Sequence, residues 1–333
     1  MKGQSFLKSI QRLVAPKKNE LFSRDTIDKL NMKGRVVLIT GADRGIGFET
    51  VKRFAKSGAK VVGTFRDSEK GYEALKSIYK DYPDSDVELI KLNLLSFNSV
   101  NTFVTEFQKK HDKLHYLINN AGTLNNKFMH TINGYETNFQ VNYLSPFLLT
   151  NSLVDQMIDS ADKTKKGDVR VINLTDLRFT RLANMKNYTT KFVNEEVYWN
   201  SEEIYEPRCN YFSSKLAMAM YTKQLVKVLE EHRDNDGFLS INCVYPGFAD
   251  THLYDRVPTL RPNSYNLKKY FLDNFPTAED ASYLVANAVV SGNGTATVIT
   301  AEAEPVPIEN FYDECEDPED LWDRTRFWID KKK

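Results

Sequence analysis

This sequence of 333 residues has few cysteines, no formal net charge and no long apolar run. Its cysteines, Cys209, Cys243 and Cys315, lie far apart and cannot form a disulfide framework, which indicates a reducing, intracellular compartment. No apolar stretch approaches the roughly 20 residues that a membrane-spanning helix needs. The 45 lysines and arginines balance 45 aspartates and glutamates, which excludes a broadly basic nucleic-acid binder. No proline- or glycine-rich linker divides the middle of the chain.

Residues 1–32 form a basic, amphipathic N-terminal segment. Within residues 1–18 apolar side chains recur at helical spacing, and several basic residues precede the first acidic one, Glu20. Two interpretations remain open. Either the segment contacts a membrane surface or directs the chain to mitochondria, or it is a short helix or tail on a cytoplasmic domain.

Residues 33–310 alternate between apolar, β-branched stretches and helical stretches. The predicted strands are 35–40, 59–65, 87–92, 114–119, 169–174 and 238–245. The predicted helices are 45–57, 68–81, 97–110, 138–159, 211–232 and 278–290. This alternation predicts one α/β domain, a doubly wound Rossmann fold whose mainly parallel, seven-stranded sheet carries helices on both faces. Residues 311–333 follow as an acidic and aromatic C-terminal tail.

A glycine-rich turn, TGADRGIG (40–47), joins the first predicted strand to the first helix. In a dinucleotide site the first glycine permits the tight turn, the second lets the backbone approach a pyrophosphate, and the third allows close helix–strand packing. N–H groups at the helix start attract the phosphates. A glycine turn without a ligand is the alternative, but the strand before and the helix after favour nucleotide binding. The residues assigned to the cofactor here are Gly41, Asp43, Arg44, Gly45, Ile46 and Gly47.

The second predicted strand ends in Thr64-Phe65-Arg66, without the acidic residue that holds the ribose 2′-hydroxyl in an NAD site. The Arg66 guanidinium suits a 2′-phosphate through paired, charged hydrogen bonds. Arg44 in the glycine turn can approach the same phosphate. Either arginine alone is more often a solvated surface charge, but together they predict NADP(H) as the cofactor.

Three further motifs stand in order along the chain: NNAG (119–122), YFSSK (211–215), and Pro246-Gly247 followed by Thr251. Together with the glycine turn, their order and spacing resemble the short-chain dehydrogenase/reductase superfamily over about residues 33–300. The stretches VNYLSPFLLT (141–150) and SKLAMAMYT (214–222), with Leu321-Trp322, are similar to its branch of retinol dehydrogenases and WW-domain oxidoreductases.

The resemblance implies that Tyr211 is the general acid in reduction and the base in oxidation. Tyr211 and Lys215 are four residues apart and share a helix face. A free tyrosine, with a pKa near 10, is poorly matched to neutral pH, and a nearby ammonium favours the phenolate. The resemblance also implies that Lys215 holds the nicotinamide ribose and that Asn142 supports a water-linked proton relay to it. A chance Y-x-x-x-K pattern is the alternative.

The same resemblance places a further set of residues against the cofactor, beside Tyr211 and Lys215 themselves. These are Asn120, Ala121, Gly122, Pro246, Gly247 and Thr251. Each of them is otherwise an ordinary turn residue. Asn93-Leu94 stands where the family has Asp-Leu against the adenine, and an amide oxygen still accepts a hydrogen bond.

Asp176 is the important departure from the family pattern, because it occupies the position of the serine that polarises the substrate carbonyl. An ionised carboxylate accepts hydrogen bonds but cannot donate them. Two unit charges 4 Å apart interact by about 4 kcal/mol at an effective dielectric of 20. A carboxylate beside a forming alkoxide would therefore slow the reaction by nearly three decades.

Three arrangements would keep the site active despite Asp176. The carboxyl could be protonated in a dry pocket and donate. Thr175 could supply the hydroxyl, although neighbouring strand residues point to opposite faces. A positively charged or hydrated substrate could make a carboxylate useful. The remaining alternative is that catalysis has decayed while the cofactor site persists.

Residues 177–210 form a long insert, rich in aromatic and acidic side chains, before Tyr211. Loops of this length are usually functional. The resemblance implies that the insert builds one wall of a pocket for a bulky apolar carbonyl compound, and that residues 252–276 form the opposing lid. A solvated surface excursion is the alternative for the insert. The five histidines show no ligand spacing with cysteines, so we predict no metal site.

Two hypotheses of different classes follow. The first is an NADP(H)-dependent oxidoreductase that interconverts a carbonyl and an alcohol on a hydrophobic substrate resembling a retinoid, a steroid or a lipid aldehyde. The second is an NADP(H)-binding sensor or scaffold whose catalysis is impaired by Asp176. The expected partner is a small hydrophobic molecule and not a nucleic acid. The catalytic set in the first hypothesis is Tyr211, Lys215, Asn142 and Asp176.

Overall fold

The computed structural model describes residues 23–184, 193–232, 237–247, 276–291, 294–300, 305–311 and 317–332. The basic stretch 1–18, Thr251 and residues 252–275 of the predicted lid lie outside the described residues.

Eight strands form one sheet, in the order β3-β2-β1-β4-β5-β6-β7-β8. The strands are β1 (Val36–Ile39), β2 (Lys60–Phe65), β3 (Val87–Lys91), β4 (Tyr116–Asn119), β5 (Val169–Leu174), β6 (Leu239–Val244), β7 (Thr297–Ile299) and β8 (Val306–Pro307). All pairings are parallel except that of β8 with β7. The predicted α/β Rossmann fold is confirmed. The predicted count of seven strands is short by one, because the two-residue β8 is too brief to carry a periodic pattern.

Helices lie in the connections between the strands, before β1 and after β8. They are α1 (Arg24–Asp28), α2 (Gly45–Lys56), α3 (Ser68–Asp81), α4 (Phe97–Lys110), α5 (Thr137–Phe139), α6 (Ser145–Ser160), α7 (Glu196–Trp199), α8 (Pro207–His232), α9 (Ala278–Val290) and α10 (Pro318–Asp330). A π-helical turn, Gln140–Leu144, joins α5 to α6. A 3₁₀ helix, Leu177–Asn184, follows β5.

Alternate strand residues face two separate apolar cores, one on each side of the sheet. Leu38 packs with residues of α4, α6 and α8 on one face. Val37 and Ile39 pack with residues of α2 and α9 on the other. Because a strand side chain points to the opposite face from its neighbours, these buried apolar runs specify a sheet covered on both sides.

The sheet order reverses between β1 and β4. From β1 the chain moves outward to β2 and β3, then crosses back to place β4 on the other side of β1. In open α/β sheets a crevice forms at this reversal, outside the carboxyl ends of the strands, and ligands bind there. The glycine turn after β1 and the NNAG motif after β4 both lie at that crevice.

The described parts of both terminal segments pack on the domain. Ile27 and Met32, from the N-terminal segment, are buried in the core beneath α2 and α9. Leu321 and Trp328, from α10, are buried in the opposite core. The Tyr135 hydroxyl donates a hydrogen bond to the Trp328 carbonyl at 2.7 Å, which fastens α10 in place. The domain limits at residues 33 and 310 stay a prediction.

His115 is a buried histidine beside β1. It is 4% exposed, and its Nδ1 accepts a hydrogen bond from the Val36 N–H at 3.0 Å. Burial, with the nearby Arg35, lowers the pKa of His115 to about 4. The neutral imidazole is therefore part of the folded state at neutral pH.

We expect His115 to destabilise the fold in acid. Its folded pKa lies below that of the unfolded chain, so unfolding binds a proton, and stability falls as the pH drops from about 6.5 to about 4. The loss should approach about 3 kcal/mol. Urea unfolding between pH 7 and pH 4.5 measures it. His115→Asn should flatten the dependence, and an equal slope in that variant would contradict the assignment. His130→Asn, at an exposed histidine, is the matched control.

Candidate active site

The glycine turn after β1 is clamped against the end of β4. Gly41 has a φ of +66°, a left-handed conformation that favours glycine. A Cβ on Gly47 would lie 2.1 Å from the Gly41 carbonyl oxygen, so no side chain fits between the turn and α2. The Asn120 amide donates hydrogen bonds to the carbonyls of Thr40 and Gly41 at 2.8 and 3.0 Å. This packing orients the start of α2 toward the crevice.

Three exposed cations surround the crevice near the end of β2. Arg44 precedes α2, Arg66 follows β2, and Lys70 lies in the first turn of α3. All three line the same cavity. The sequence predicted the two arginines but missed Lys70, because a lysine in an exposed helical turn carries no signal of its own.

Asp67, which follows Arg66, is occupied by the start of a helix. Asp67 caps α3, and its carboxylate accepts the backbone N–H groups of Glu69 and Lys70 at 3.1 and 3.5 Å. Phe65 lies against Gly71, where a Cβ would be 2.5 Å from the ring. The position where an NAD site carries a carboxylate is therefore filled by a packed aromatic ring.

The crevice is a cavity of about 390 Å³. Most of the predicted site residues line it: Gly41, Asp43, Arg44, Gly45, Ile46, Arg66, Asn93, Leu94, Asn120, Ala121, Gly122, Asp176, Tyr211, Lys215, Pro246 and Gly247. Gly47 and Asn142 are outside this lining set, since Gly47 packs behind the turn and Asn142 lies behind Gly122. The Asn93 side chain accepts the Leu95 N–H at 3.1 Å, which fixes the turn that follows β3.

Tyr211 and Lys215 project from α8, which begins at Pro207, four residues earlier than the periodicity predicted. The Lys215 ammonium donates to the Leu174 carbonyl at 3.0 Å and lies 5.8 Å from the centre of the Tyr211 ring. Burial lowers the pKa of Lys215 to about 8, against the opposing attraction of Asp176. The site thus holds an ammonium that titrates close to neutral pH.

Asn142 lies in the π-helical turn between α5 and α6. Its amide donates to the Thr123 carbonyl and the Ser214 hydroxyl, both at 2.9 Å, and its oxygen accepts the Thr123 N–H at 2.8 Å. A Cβ on Gly122 would lie 3.4 Å from the Asn142 oxygen and 3.6 Å from the Lys215 ammonium. Such π turns are frequent at functional sites, and this one brings Asn142 close to Lys215.

Asp176 forms an ion pair that the sequence did not reveal. Its carboxylate accepts the backbone N–H of Arg178 at 3.0 Å and the Nε–H of the same residue at 2.8 Å, with a further bond from Nη2. Burial alone would raise the pKa of Asp176, but Arg178 and Lys215 outweigh it and hold that pKa below its ordinary value. The carboxylate is therefore ionised, which disfavours the protonated alternative.

The neighbouring hydroxyl groups are oriented by the protein itself. The Tyr211 hydroxyl donates to Asp176 Oδ2 at 3.4 Å, a long hydrogen bond. The Thr175 hydroxyl donates to the Lys215 carbonyl at 3.1 Å, so it is turned away from a substitute role for the serine. Of these two hydroxyl groups, it is that of Tyr211 that contacts the Asp176 carboxylate.

The insert contributes to the core and contacts a residue that lines the cavity. Trp199 is fully buried and stacks on Phe139, with ring centres 3.9 Å apart. Tyr205 donates its hydroxyl hydrogen to the Asn125 carbonyl at 2.8 Å, and Asn125 lines the cavity. A pocket wall built by the insert stays a prediction. Phe192 lies outside the described residues.

Within the part of the chain that the structure describes, no helix is long and apolar enough to cross a membrane. Among the same residues, no group of three or more His, Cys, Asp or Glu side chains is placed to hold a metal ion.

Comparison with known proteins identifies the family. Residues 35–190 match the short chain dehydrogenase family. Retinol dehydrogenase 12 of Mus musculus is 36% identical over 234 residues, which cover 68% of this chain and 66% of that protein. Retinol dehydrogenase 11 of Mus musculus is 33% identical over 242 residues, covering 72% and 70%. This chain therefore belongs to the short-chain dehydrogenase/reductase family of oxidoreductases, in its retinol-dehydrogenase-like branch, as the motifs predicted.

Solved structures agree on the fold. The L-sorbose reductase from Gluconobacter frateurii, crystallised with NADPH and L-sorbose, superposes with a TM-score of 0.59 at 19% identity, covering 82% of this chain and 97% of that chain. The sequence matches cover a smaller share of the related proteins than this structural match does. The chain spans 66% of retinol dehydrogenase 12 and 61% of retinol dehydrogenase 13 of Mus musculus, less than two thirds of either relative.

Proposed function

We propose that this chain is an NADP(H)-dependent oxidoreductase that interconverts a carbonyl and an alcohol on a hydrophobic substrate. The observation that carries the proposal is a single cavity that joins the glycine turn and its three cations to Tyr211 and Lys215. The relatives named retinol dehydrogenases support a hydrophobic alcohol as one substrate class.

The residues present fit such a cofactor. Gly122 borders the cavity without a side chain, at the point where a Cβ would approach Lys215. Arg44, Arg66 and Lys70 offer charged donors to a 2′-phosphate, and the start of α2 offers N–H groups to the pyrophosphate. When bound, the nicotinamide group supplies or accepts the hydride.

Tyr211 moves the proton in this proposal. In reduction its hydroxyl hydrogen passes to the developing alkoxide, and in oxidation its phenolate takes the hydrogen of the alcohol. The Lys215 ammonium favours the phenolate, and its pKa of about 8 keeps it largely charged at neutral pH. Asn142 stabilises the α8 segment through Ser214 and supports the relay behind Lys215.

Arg178 resolves much of the electrostatic difficulty that Asp176 creates. The formal charges of the pair sum to zero, so these two side chains together with Lys215 carry one net positive charge. Asp176 still cannot donate a hydrogen bond to a carbonyl. The missing hydrogen-bond donor supports the second candidate function, an NADP(H) sensor, if the protein shows no turnover.

The cofactor preference is tested by replacing Arg66 with Asp. We expect Arg66→Asp to weaken NADPH binding by about tenfold or more and to strengthen NADH binding, because the 2′-phosphate loses a charged partner and the 2′-hydroxyl gains an acceptor. Titration of nicotinamide fluorescence with both cofactors measures the ratio. Lys76→Asp, at an exposed position on α3 outside the cavity lining, is the charge-matched control. An unchanged ratio in Arg66→Asp refutes the assignment.

A further inference from the structure

Asp176 presents a permanent hydrogen-bond acceptor to the cavity. It is 3% exposed and is held by the backbone and the guanidinium of Arg178. Asp176 lines the cavity, whereas Arg178 is outside the lining set and its guanidinium lies 5.4 Å from the Phe212 ring. Oδ2 also accepts the Tyr211 hydroxyl at 3.4 Å, a long hydrogen bond, so the negative end of the ion pair faces Tyr211, and a substrate N–H there would replace that bond.

This polarity is opposite to the one that a carbonyl substrate requires. A carbonyl oxygen can only accept, and so can an ionised carboxylate, so the two repel each other. Thr175 does not replace the missing donor, because its hydroxyl is bonded to the Lys215 carbonyl. A substrate atom beside Asp176 gains a partner only if that atom carries a hydrogen.

We propose that Asp176 accepts a hydrogen bond from the protonated nitrogen of a C=N substrate, so that the site reduces imines to amines as a further activity beside carbonyl reduction. The inference rests on the proposed NADP(H) function, since the same cofactor would serve both reactions. Its new element is the substrate class, which is a small hydrophobic imine.

The reaction balances without any group beyond those already named. The imine nitrogen takes one proton from solvent and becomes an iminium, whose N–H is held by the Asp176 carboxylate. A reduced nicotinamide dinucleotide supplies the hydride, which adds to the carbon while the C=N π electrons return to nitrogen. The product is the amine, and the cofactor is left oxidised. Asp176 keeps its charge, because its role is to stabilise the cation and raise the protonated fraction of the bound imine.

Binding of a stable amine tests this role without turnover. In the NADPH complex, calorimetry should show 2-phenylpyrrolidine, a cation at pH 7, binding about tenfold or more tightly than the uncharged 2-phenyltetrahydrofuran of the same shape. Asp176→Asn should bring the two affinities together. Asp176→Asn removes the carboxylate that Arg178 pairs with. The double variant Asp176→Asn/Arg178→Gln, in which both charges are removed, should likewise bring the two affinities together. Asp159→Asn, exposed on α6, is the control and should keep the native ratio.

Turnover of 2-phenyl-1-pyrroline with NADPH provides the second readout, compared with a hydrophobic aldehyde. The native protein should reduce the imine, and Asp176→Ser should lose imine reduction while gaining aldehyde reduction. Equal binding of the amine and the ether by the native complex overturns the inference, and so does aldehyde reduction without imine reduction. A protein that binds no NADPH overturns the proposed function itself, which calorimetry with the cofactor alone reveals.

Discussion

Tyr211→Phe is expected to reduce kcat for a hydrophobic aldehyde by roughly 10²–10⁴ while leaving NADPH affinity nearly unchanged. The substitution removes the proton donor but keeps the ring, which is buried and packs against Phe212 at 5.5 Å. Steady-state kinetics and a fluorescence titration with NADPH separate the two effects. Tyr221→Phe is the matched control, because it removes a buried hydroxyl from the same helix outside the cavity lining.

One result would contradict the catalytic role of Tyr211, and another would contradict turnover by the native protein. If Tyr211→Phe keeps full turnover, another group delivers the proton. If the native protein binds NADPH tightly but turns over no substrate, and Asp176→Ser restores turnover, the chain is an impaired enzyme of the sensor class. Both outcomes leave the cofactor assignment intact, since that depends on Arg66 and the glycine turn.

The sequence predicted the parts of the site that depend on short spacing. Gly41 and Gly47 belong to the same glycine-rich stretch, 40–47, and Tyr211 and Lys215 lie one helical turn apart. Local geometry alone therefore brings each pair together. The order of strands then follows from the alternation of strand and helix, which admits few topologies. The cofactor crevice could therefore be predicted from the sequence.

The ion pair between Asp176 and Arg178 could not be predicted from the sequence. Arg178 lies two residues further on, and in a continuing strand its side chain would share a face with Asp176 but extend alongside it. The 3₁₀ helix that begins at Leu177 instead turns the guanidinium back onto the carboxylate. No pattern in the sequence marks that turn, and the charge of the site depends on it.

The role of the insert was also hidden, because it depends on contacts between residues far apart in the chain. Trp199 contacts Phe139 and Tyr135 on one side, and on the other Trp328, whose ring centre is 5.2 Å away. Aromatic residues in a long connection suggested a substrate wall. Trp199 instead joins the insert to α10 through the core, while Tyr205 remains beside the cavity.

Trp199→Ala is therefore expected to lower the free energy of unfolding by about 3–5 kcal/mol, because it opens a cavity among three buried aromatic rings. Urea unfolding followed by far-UV circular dichroism measures the change. Val197→Ala, two residues away and 64% exposed, is the matched control and should cost less than about 0.5 kcal/mol. If Trp199→Ala were no more costly than Val197→Ala, the insert would be a surface excursion, and the pairing of Trp199 with α10 would contribute nothing to the fold.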